Sequence, residues 1–390
     1  MKQQFSFVLA SLVLAACAEP PSTPIAVVPD EPATFAAAQS DVIPGRFIVT
    51  LREGANPAAV ASEHGVKPDF VYANVLNGFA GSIADAARAG LLRDARVARV
   101  EPDGIAYASI TQSGATWGID RIDQRSLPLS GTYTYTASGL GVTAYIIDTG
   151  IRFDHSEFVG RASSGYDAVD GGTADDCNGH GTHVAGTVGG STYGVAKDVQ
   201  LVAVRVLDCG GSGSWSGVIA GMDWVTANHV GPSVANMSLG GGANTSVDDA
   251  ARRMIASGVA TAIAAGNGNF IGIAQDACKS SPARVAEAMT IGATDNTDKK
   301  ASWSNYGNCV DWFAPGVGIT SSWYTSTTAT NTISGTSMAT PHTTGAAALY
   351  LSLNPTATPQ QVRDALYANT TKGIVTSSKT VNNHLLFVNY

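Results

Sequence analysis

The sequence predicts an α/β protein with a mainly parallel sheet sandwiched by helices, preceded by a small α+β unit. Continuously apolar runs are typical of strands buried on both faces, and they lie at 142–147, 199–206, 233–239, 259–265 and 288–291. Between these runs, helical patterns occur at 180–188, 216–229 and 247–257. Because strand and helix patterns alternate, the sheet should be mainly parallel, with helices on both faces.

The composition supports a sizeable core and excludes one class of partner. The chain has 390 residues, of which 44% are apolar and 14% are charged, against about 25% charged in an average soluble protein. The formal net charge is −8, so the chain lacks the basic surface by which proteins bind nucleic acid. We therefore expect a folded monomer with no nucleic-acid partner.

The N-terminus has the pattern of an export signal. Residues 1–17 combine a charged start with an apolar run at 5–16, which is too short to span a bilayer. The run ends in LAAC, which resembles a bacterial lipobox and would make Cys17 a lipidated membrane anchor of the precursor. The alternative is ordinary cleavage nearby. Residues 18–41, rich in Pro, Ala, Ser and Thr, are interpreted as a flexible spacer. No later stretch is apolar over the length of a bilayer.

Residues 42–108 predict a strand, a helix, two strands, a helix and a strand. This order is typical of a small ferredoxin-like unit. Asn77-Gly78 is a strong hairpin-turn signal and lies between the predicted strands 70–72 and 79–81. The unit contains no paired catalytic groups, so an independent binding domain is one interpretation of it.

Residues 109–390 form the second predicted unit, and its chemistry lies where strands end. Asp148 follows the 142–147 strand, and Asn267 follows the 259–265 strand. His180 begins a helix within NGHGTHVAG at 178–186, and Ser337 begins another within SGTSMATPH at 334–342. Since ligands of open α/β sheets bind outside the carboxyl ends of the strands, we expect these four side chains to share one site.

These four motifs, in this order, resemble the subtilisin-like serine proteases (subtilases), in particular the aqualysin-type subgroup of their proteinase K branch. The Asp, His, Ser order is the known order of subtilisin, and GTSMATPH is highly specific. The resemblance covers nearly everything from Val42 onward. It implies a subtilisin-like fold and a secreted serine endopeptidase of broad specificity without a catalytic cofactor.

The residue types fit the roles that this resemblance implies. A serine hydroxyl is a poor nucleophile until a base removes its proton, and a histidine can do so near neutral pH. Ser337 is therefore the expected nucleophile and His180 the proton shuttle, with Asp148 orienting the imidazole. The Asn267 amide and the Ser337 N–H would bind the oxyanion. The other motif histidines, His183 and His342, are interpreted as structural.

Substrate contact should come largely from glycine-rich backbone. Segments matching those that flank the substrate in the family are Gly211, Ser212, Gly213, Ser238, Leu239, Gly240 and Gly241. Glycine leaves room for an extended peptide to add as a strand. Small residues at Gly240, Gly241, Ala264, Ala265 and Gly266 suggest an open apolar primary pocket with a preference for aromatic or large aliphatic residues.

Two segments depart from the family pattern. The loop at 268–277 is about five residues longer than expected from the subgroup, and its apolar stretch at 270–273 could reshape the rim of the primary pocket. Thr343-Thr344 replaces what is more often an apolar pair. Hydroxyls at these positions can donate back to the i−4 carbonyls and bend the helix slightly.

The resemblance also implies a removable N-terminal inhibitor. Residues 42–108, which close in Arg99-Val100-Glu101-Pro102-Asp103, resemble the inhibitory propeptides of the family. On this interpretation residues 103–108 would lie in the active-site groove, and self-cleavage would occur near Ala108–Ser109. The propeptide would then be an intramolecular partner of the enzyme.

The unit at 109–390 contains four cysteines, which allow three pairings. The resemblance implies disulfides Cys177–Cys209 and Cys278–Cys309, whereas free thiols, one of them close to His180, are the alternative.

The resemblance also implies structural Ca²⁺. Calcium prefers carboxylate and carbonyl oxygens as ligands, and the implied positions supply both. One ligand set is Asp311 with the carbonyls of Ala286 and Ala288. A second comprises Asp120, Asp123 and Gln124, with Ser130 and Thr132 as additions. Ordinary surface charge is the alternative for each acid. A third acidic segment, 154–157, is interpreted as a loop, with a metal site as its alternative.

Overall fold

The computed structural model describes residues 34–35, for which only the backbone is considered, together with 42–104 and 109–390. The predicted signal peptide, Cys17 and nearly all of the predicted spacer lie outside the described residues, as does the segment 105–108. The chain divides into two compact units between residues 106 and 107. No helix in the described ranges is long and apolar enough to cross a membrane.

The N-terminal unit is one sheet with two short helices. Its strands are β1 (Thr34–Phe35), β2 (Val42–Leu51), β3 (Phe70–Tyr72), β4 (Gly78–Ser82) and β5 (Val97–Gly104), and its helices are α1 (Pro57–Glu63) and α2 (Asp85–Leu91). The strand order is β1-β5-β2-β4-β3. The short β1 lies inside the range predicted as spacer and pairs in parallel with β5. Buried Val49, Val60 and Phe79 belong to the apolar core of this unit.

The predicted Asn77-Gly78 turn was wrong in its detail. Strands β3 and β4 do form a hairpin, but Tyr72 pairs with Gly78, so the connection is the five-residue segment 73–77. Gly78 is the first residue of β4, and a Cβ there would collide with the Val49 carbonyl oxygen of β2. The Asn77 amide donates to the carbonyls of Arg52 and Ala55 instead. Close strand approach, rather than a tight turn, requires this glycine.

The second unit begins with two paired strands around a short helix. They are β6 (Ile110–Ser113), α3 (Trp117–Ile122) and β7 (Thr132–Tyr135). The sheet-forming strands that follow are β8 (Thr143–Asp148), β9 (Ala162–Asp167), β10 (Gln200–Arg205), β11 (Ser233–Met237), β13 (Val259–Ala264), β15 (Met289–Thr294), β16 (Trp312–Pro315), β19 (Thr371–Lys372) and β20 (His384–Leu385).

The remaining elements cover this sheet or lie at its edges. The helices are α4 (His180–Gly189), α5 (Trp215–Asn228), α6 (Thr245–Ala256), α7 (Thr336–Leu353) and α8 (Pro359–Asn369). Two short antiparallel pairs join β12 (Gly241–Gly242) to β14 (Ser280–Ser281) and β17 (Ile319–Ser322) to β18 (Thr330–Ile333). A single 3₁₀ turn spans Ala277–Lys279.

The nine-stranded sheet is mainly parallel, as the sequence predicts. Its order is β19-β20-β16-β15-β13-β11-β8-β10-β9, and β19 pairs antiparallel with β20. Alternate residues of β8 face opposite sides: Ile146 joins the core formed with α4, α7 and α8, whereas Ile147 joins the core formed with α5 and α6. A strand buried on both faces must be apolar at successive positions, which is why these strands were recognisable.

The five predicted strands and four predicted helices of this unit, including the one at Ser337, all exist, with ends that differ by a few residues. The sequence did not indicate β9, whose residues ASSGYD are small or polar and lie at the sheet edge. The two-residue strands β19 and β20 are too short to produce any pattern.

Candidate active site

Asp148 ends the central strand β8 and is fully buried. Its Oδ1 accepts two hydrogen bonds, from His180 Nδ1 at 2.7 Å and from the backbone N–H of Thr149 at 2.8 Å. An acceptor at Nδ1 fixes the tautomer of a neutral imidazole and leaves its Nε2 free to take a proton.

His180 is the first residue of α4, and the backbone conformation of the glycine before it brings the chain to this position. Gly179 has φ +108°, and a Cβ there would lie 2.6 Å from ring atoms of Trp323. Glycine adopts such a backbone without steric cost, so the chain can turn sharply into the helix with the His180 side chain near Asp148.

Asp148 determines the protonation behaviour of His180. Burial lowers the pKa of the imidazole, but the charge of Asp148 and the hydrogen bond to it outweigh burial, so the His180 pKa lies above its ordinary value of 6.5. Asp176 contributes in the same direction. The pair is thus arranged to stabilise an imidazolium.

Ser337 lies in the first turn of α7, on the same groove. Its Oγ donates to the Ser238 carbonyl at 3.2 Å, and the Ser238 hydroxyl donates back to the Ser337 carbonyl at 2.8 Å. Within the described residues there is no hydrogen bond from Ser337 Oγ to His180. Catalytic hydrogen bonds are often long or misaligned without substrate, so this geometry is compatible with a nucleophile.

Asn267 follows β13, and its side chain is held by Thr336. The Asn267 Oδ1 accepts from the Thr336 backbone N–H at 2.8 Å and from its hydroxyl at 2.9 Å. With Oδ1 engaged in this way, the amide N–H₂ is the end left to face a ligand.

A groove of about 960 Å³ joins these groups. All seven predicted substrate-binding residues line it, as do Ala264, Ala265 and Gly266. Among its lining residues no Asp, Glu, Lys or Arg is present, and His180 is the one ionisable side chain. The groove therefore offers backbone and small apolar surface rather than charge to a ligand.

Asp176 is a site residue that the sequence reasoning missed. Its Oδ1 accepts from the Thr149 hydroxyl at 2.9 Å, and its Oδ2 accepts from the N–H and hydroxyl of Thr182 at 2.9 and 2.6 Å. Thr149 Oγ1 in turn accepts from the Gly181 N–H at 2.9 Å. One carboxylate thus links the end of β8 to the first turn of α4. The sequence feature that could have indicated this role is an acidic residue four positions before His180.

The sequence also did not indicate Trp215 and Asn305, both of which line the groove. The Asn305 amide donates to the Ala265 carbonyl at 2.8 Å, and its backbone N–H donates to the Gly266 carbonyl at 2.9 Å. Asn305 therefore fixes the strand end that carries Asn267, although nothing in its local sequence marks it for this role.

Thr344 does more than the predicted back-bond along α7. Its hydroxyl donates to the Thr340 carbonyl at 3.4 Å, but more closely to Asn236 Oδ1 at 2.9 Å. The Asn236 amide donates to Ser238 Oγ at 2.8 Å, and Ser238 reaches the Ser337 carbonyl. Thr343 accepts a hydrogen bond from the Trp312 indole at 3.1 Å.

The other histidines of the two motifs are packed, as interpreted. Nitrogens of His183 and His342 lie 3.0 and 2.9 Å from the carbonyl oxygens of Ile319 and Met338. Both rings are buried, and burial lowers the pKa of each to about 4. They are therefore neutral near pH 7.

The side chains of the acidic segment at 154–157 are engaged by protein groups. Arg152 pairs with Asp154, and Glu157 Oε2 accepts from the Thr192 N–H at 2.6 Å. His155 Nε2 lies 2.9 Å from the Ala329 carbonyl. In the described ranges, no group of three or more His, Cys, Asp or Glu is arranged to hold a metal.

The four cysteines of this unit are paired as the resemblance implied, in Cys177–Cys209 and Cys278–Cys309. The first disulfide links the segment before His180 to the segment that begins the groove at Gly210. The bridged residues are separated by 32 and 31 positions, and closing loops of that length contributes about 3–4 kcal/mol each in the chain-entropy model.

The first predicted calcium set does not fit a metal ion in this arrangement. Asp311 accepts from the Arg363 guanidinium at 2.5 Å through Oδ1 and from the Thr290 N–H at 2.8 Å through Oδ2. The guanidinium already neutralises the carboxylate to which Ala286 and Ala288 were expected to add their carbonyls. A calcium ion would have to displace Arg363.

The second predicted set fits better. Asp120 accepts from the backbone N–H groups of Ser130 and Gly131 at 3.1 and 2.8 Å. Asp123 Oδ2 accepts from the Thr134 N–H at 2.6 Å, but its Oδ1 is buried without a hydrogen-bond partner in the described structure. Gln124 Oε1 accepts from the Ser130 N–H at 3.0 Å. An unpaired buried carboxylate oxygen next to a second acid suits a hard cation.

A serine, an imidazole and a buried carboxylate beside one neutral groove are the parts of a serine-type peptidase. Comparisons with known proteins agree with this class. The model of the subtilase family of peptidases matches residues 139–385. The chain belongs to the subtilase family and is a serine-type endopeptidase.

Particular relatives refine this assignment. The extracellular serine proteinase of Thermus sp. strain Rt41A is 53% identical over 97% of each chain. The alkaline serine exoprotease A of Vibrio alginolyticus is 47% identical over 91% of this chain and 70% of its own. The crystal structure of a cold-adapted subtilisin-like serine proteinase matches with a TM-score of 0.69 and 54% identity, over 71% of this chain and all of that one.

Proposed function

We propose that the enzyme cleaves polypeptides through Ser337, His180 and Asp148. The observation that carries the proposal is the 2.7 Å contact of His180 Nδ1 with Asp148, beside a groove that also holds Ser337. Ser337 Oγ attacks the scissile carbonyl carbon while its proton passes to His180 Nε2. His180 then protonates the departing amine, and water hydrolyses the resulting acyl-enzyme ester by the same proton route.

Asn267 stabilises the charge that develops on the carbonyl oxygen. Its amide and the Ser337 backbone N–H donate to the oxyanion, and Thr336 holds the amide in the donating orientation. The helix dipole at the start of α7 favours negative charge at the same place. Donors fixed before reaction need no reorganisation in the transition state, which is why such sites contribute strongly.

The groove recognises the substrate through its own backbone and its shape. Glycines on both sides of the groove leave space for an extended peptide to pair as an added strand. Because the lining residues include no acid or base apart from His180, charged side chains gain no partner there. We therefore expect broad specificity, with aromatic or large aliphatic residues preferred in the primary pocket between Gly240 and Gly266.

The test of the mechanism is Ser337→Ala. Removing the nucleophile should reduce kcat on a peptide substrate by about 10⁶-fold, the magnitude known for this loss in subtilisin. Ser352→Ala, a change near the other end of α7, is the matched control and should retain wild-type kcat. Hydrolysis by Ser337→Ala at the control rate would rule out the assigned nucleophile.

We also propose that the enzyme is secreted as a self-processing precursor, with residues 42–108 as its inhibitor. The Thermus relative is described as extracellular, and the N-terminal pattern of this chain is that of an export signal. The expected cleavage region at 105–108 lies outside the described residues. Intact mass spectrometry should find mature wild-type enzyme beginning near Ser109, and Ser337→Ala as a precursor that retains residues 42–108.

Structural calcium is proposed at the second set alone. Asp120, Asp123 and Gln124 would hold the ion, with Ser130 and Thr132 adding oxygens nearby. The ion would neutralise two carboxylates and join the end of α3 to β7. It has no part in the peptide-bond chemistry.

A further inference from the structure

A single loop beside the groove carries an unusual concentration of exposed apolar side chains. We name residues 269–275 the rim loop. The segment before it, 264–268, lines the groove, and so do Ser280 and Ala283 after it. The rim loop thus directly follows a groove-lining segment, and the chain returns to the groove at Ser280.

The backbone of the rim loop is fixed by hydrogen bonds. Asn269 Oδ1 accepts from the N–H groups of Ile271 and Ile273 at 3.2 and 3.0 Å. The Asn269 N–H donates to the Ile273 carbonyl at 2.9 Å. At the base, buried Asn305 accepts from the N–H groups of Gly268 and Gln275 at 3.0 and 2.8 Å. The loop is a built structure and does not need a ligand to order it.

The side chains that this scaffold presents are apolar and open to solvent. Phe270 is 98% exposed, Ile271 63% and Ile273 56%. Isolated exposed apolar residues are common, but three within four positions form a patch, and such patches mark binding surfaces. Their exposure leaves this apolar surface free to contact another molecule.

We propose that Phe270, Ile271 and Ile273 bind apolar side chains of the polypeptide substrate that flank the residue in the primary pocket. This inference rests on the proposed function. The occupant is assigned to the substrate because the rim loop directly follows Gly268, which lines the groove, and because a groove without charged lining residues other than His180 admits apolar chain. Since the loop is already ordered, binding costs little conformational entropy.

The position of the rim loop determines which kinetic constant it affects. Residues 269–275 are not among the groove-lining residues, whereas Ser337 is, so the proposed contact involves no reacting atom and is the same in the bound substrate and in the transition state. Such uniform binding changes KM and leaves kcat unchanged. The rim loop should thus favour apolar, unfolded protein segments through KM alone.

The test compares a rim variant with a control of equal chemistry. The rim variant is Phe270→Ser/Ile271→Ser/Ile273→Ser. The control is Leu140→Ser/Val230→Ser, which removes two side chains that are also highly exposed. Three substrates are used: a peptide with Leu at the positions flanking a fixed scissile bond, the same peptide with Ser at those positions, and a single-residue aminoacyl ester.

We expect the rim variant to raise KM about tenfold for the Leu peptide, with kcat within twofold of wild type. Its KM for the Ser peptide and the ester should not change, and the control variant should match wild type on all three substrates. The ester occupies only the reacting centre, so failure of wild type to cleave it would contradict the proposed function and not the rim loop.

Two results would overturn the proposal. One is an unchanged KM of the rim variant for the Leu peptide. The other is an equal loss on all three substrates, which would indicate a damaged groove. Flotation with phosphatidylcholine vesicles and sedimentation velocity complete the design. If the rim variant lost only vesicle binding or self-association, the occupant would be a lipid surface or a second copy, and the substrate assignment would be wrong.

Discussion

Two carboxylates of the peptidase unit, fully buried Asp148 and half-buried Asp123, differ in what surrounds them. Asp148 lies at the end of the central strand, where His180 Nδ1 meets one of its oxygens at 2.7 Å. Asp123 directly follows α3. One oxygen of each carboxylate, Oδ2 of Asp148 and Oδ1 of Asp123, is buried without a hydrogen-bond partner in the described structure. The other oxygen of Asp148 meets an imidazole, which can gain and lose a proton. The other oxygen of Asp123 accepts from a backbone N–H, which cannot.

The difference lies in what each carboxylate can stabilise. In the proposed mechanism Asp148 stabilises a charge that appears on His180 during each turnover, so its contribution should be kinetic. A cation bound at the unpartnered oxygen of Asp123 would remain bound through the reaction, so its contribution should be to the stability of the fold. The comparison predicts that substitutions at the two sites separate activity from thermal stability.

Asp148→Asn should have the largest effect. Replacing the carboxylate by an amide favours the wrong imidazole tautomer and costs about 10⁴-fold in kcat in serine proteases. The His180 pKa is raised by Asp148, so wild-type kcat/KM should fall as the pH drops through a value above 6.5. In the variant this acid limb should move to lower pH. A pH profile of kcat/KM measures both effects, and an acid limb that stays in place would contradict the assigned charge coupling.

Asp176→Asn should have an intermediate effect. The amide N–H₂ would oppose the Thr182 donors, loosening the joint between β8 and α4, and the loss of charge should also lower the His180 pKa. We expect kcat to fall about tenfold, since small misplacement of reacting groups is costly. Asp175→Asn is the neighbouring control. Unchanged kcat in Asp176→Asn would show that the joint does not position His180.

Asp123→Asn should have the smallest effect on activity and a measurable effect on stability. A calcium ion present at about 100 times its Kd stabilises by about 2.7 kcal/mol, which corresponds to about 5–10 °C in Tm for a domain of this size. Calorimetry with and without a chelator should show that shift in wild type and in Asp223→Asn, a surface control. The shift should be absent in Asp123→Asn. An equal chelator response in all three would place calcium elsewhere.

Much of this molecule is local enough to be predicted from sequence. The continuous apolar runs predicted the central strands, since a strand covered on both faces cannot carry polar residues at alternate positions. The motifs around Asp148, His180, Asn267 and Ser337 predicted one site at the carboxyl edge of the sheet, and all four residues belong to a single region. The polar edge strand β9 gave no such pattern and was missed.

Other features depended on partners distant in sequence. Local spacing suggested a turn at Gly78, but a carbonyl of β2 lies where its side chain would be. Family resemblance suggested a calcium ligand at Asp311, but Arg363, 52 residues later, reaches the same carboxylate. Neither contact can be predicted from the residues adjacent in sequence.

The sequence by itself determined the α/β class and predicted the four groups of the proposed catalytic site, because these depend on residue type and short-range order. Only the tertiary structure decided what holds those groups in place. Asp176, Asn305 and Thr344 act through hydrogen bonds whose geometry arises once β8, β13 and α7 have packed. The donor–acceptor distance of a hydrogen bond can vary by only a few tenths of an ångström, and the packing of these elements sets that distance.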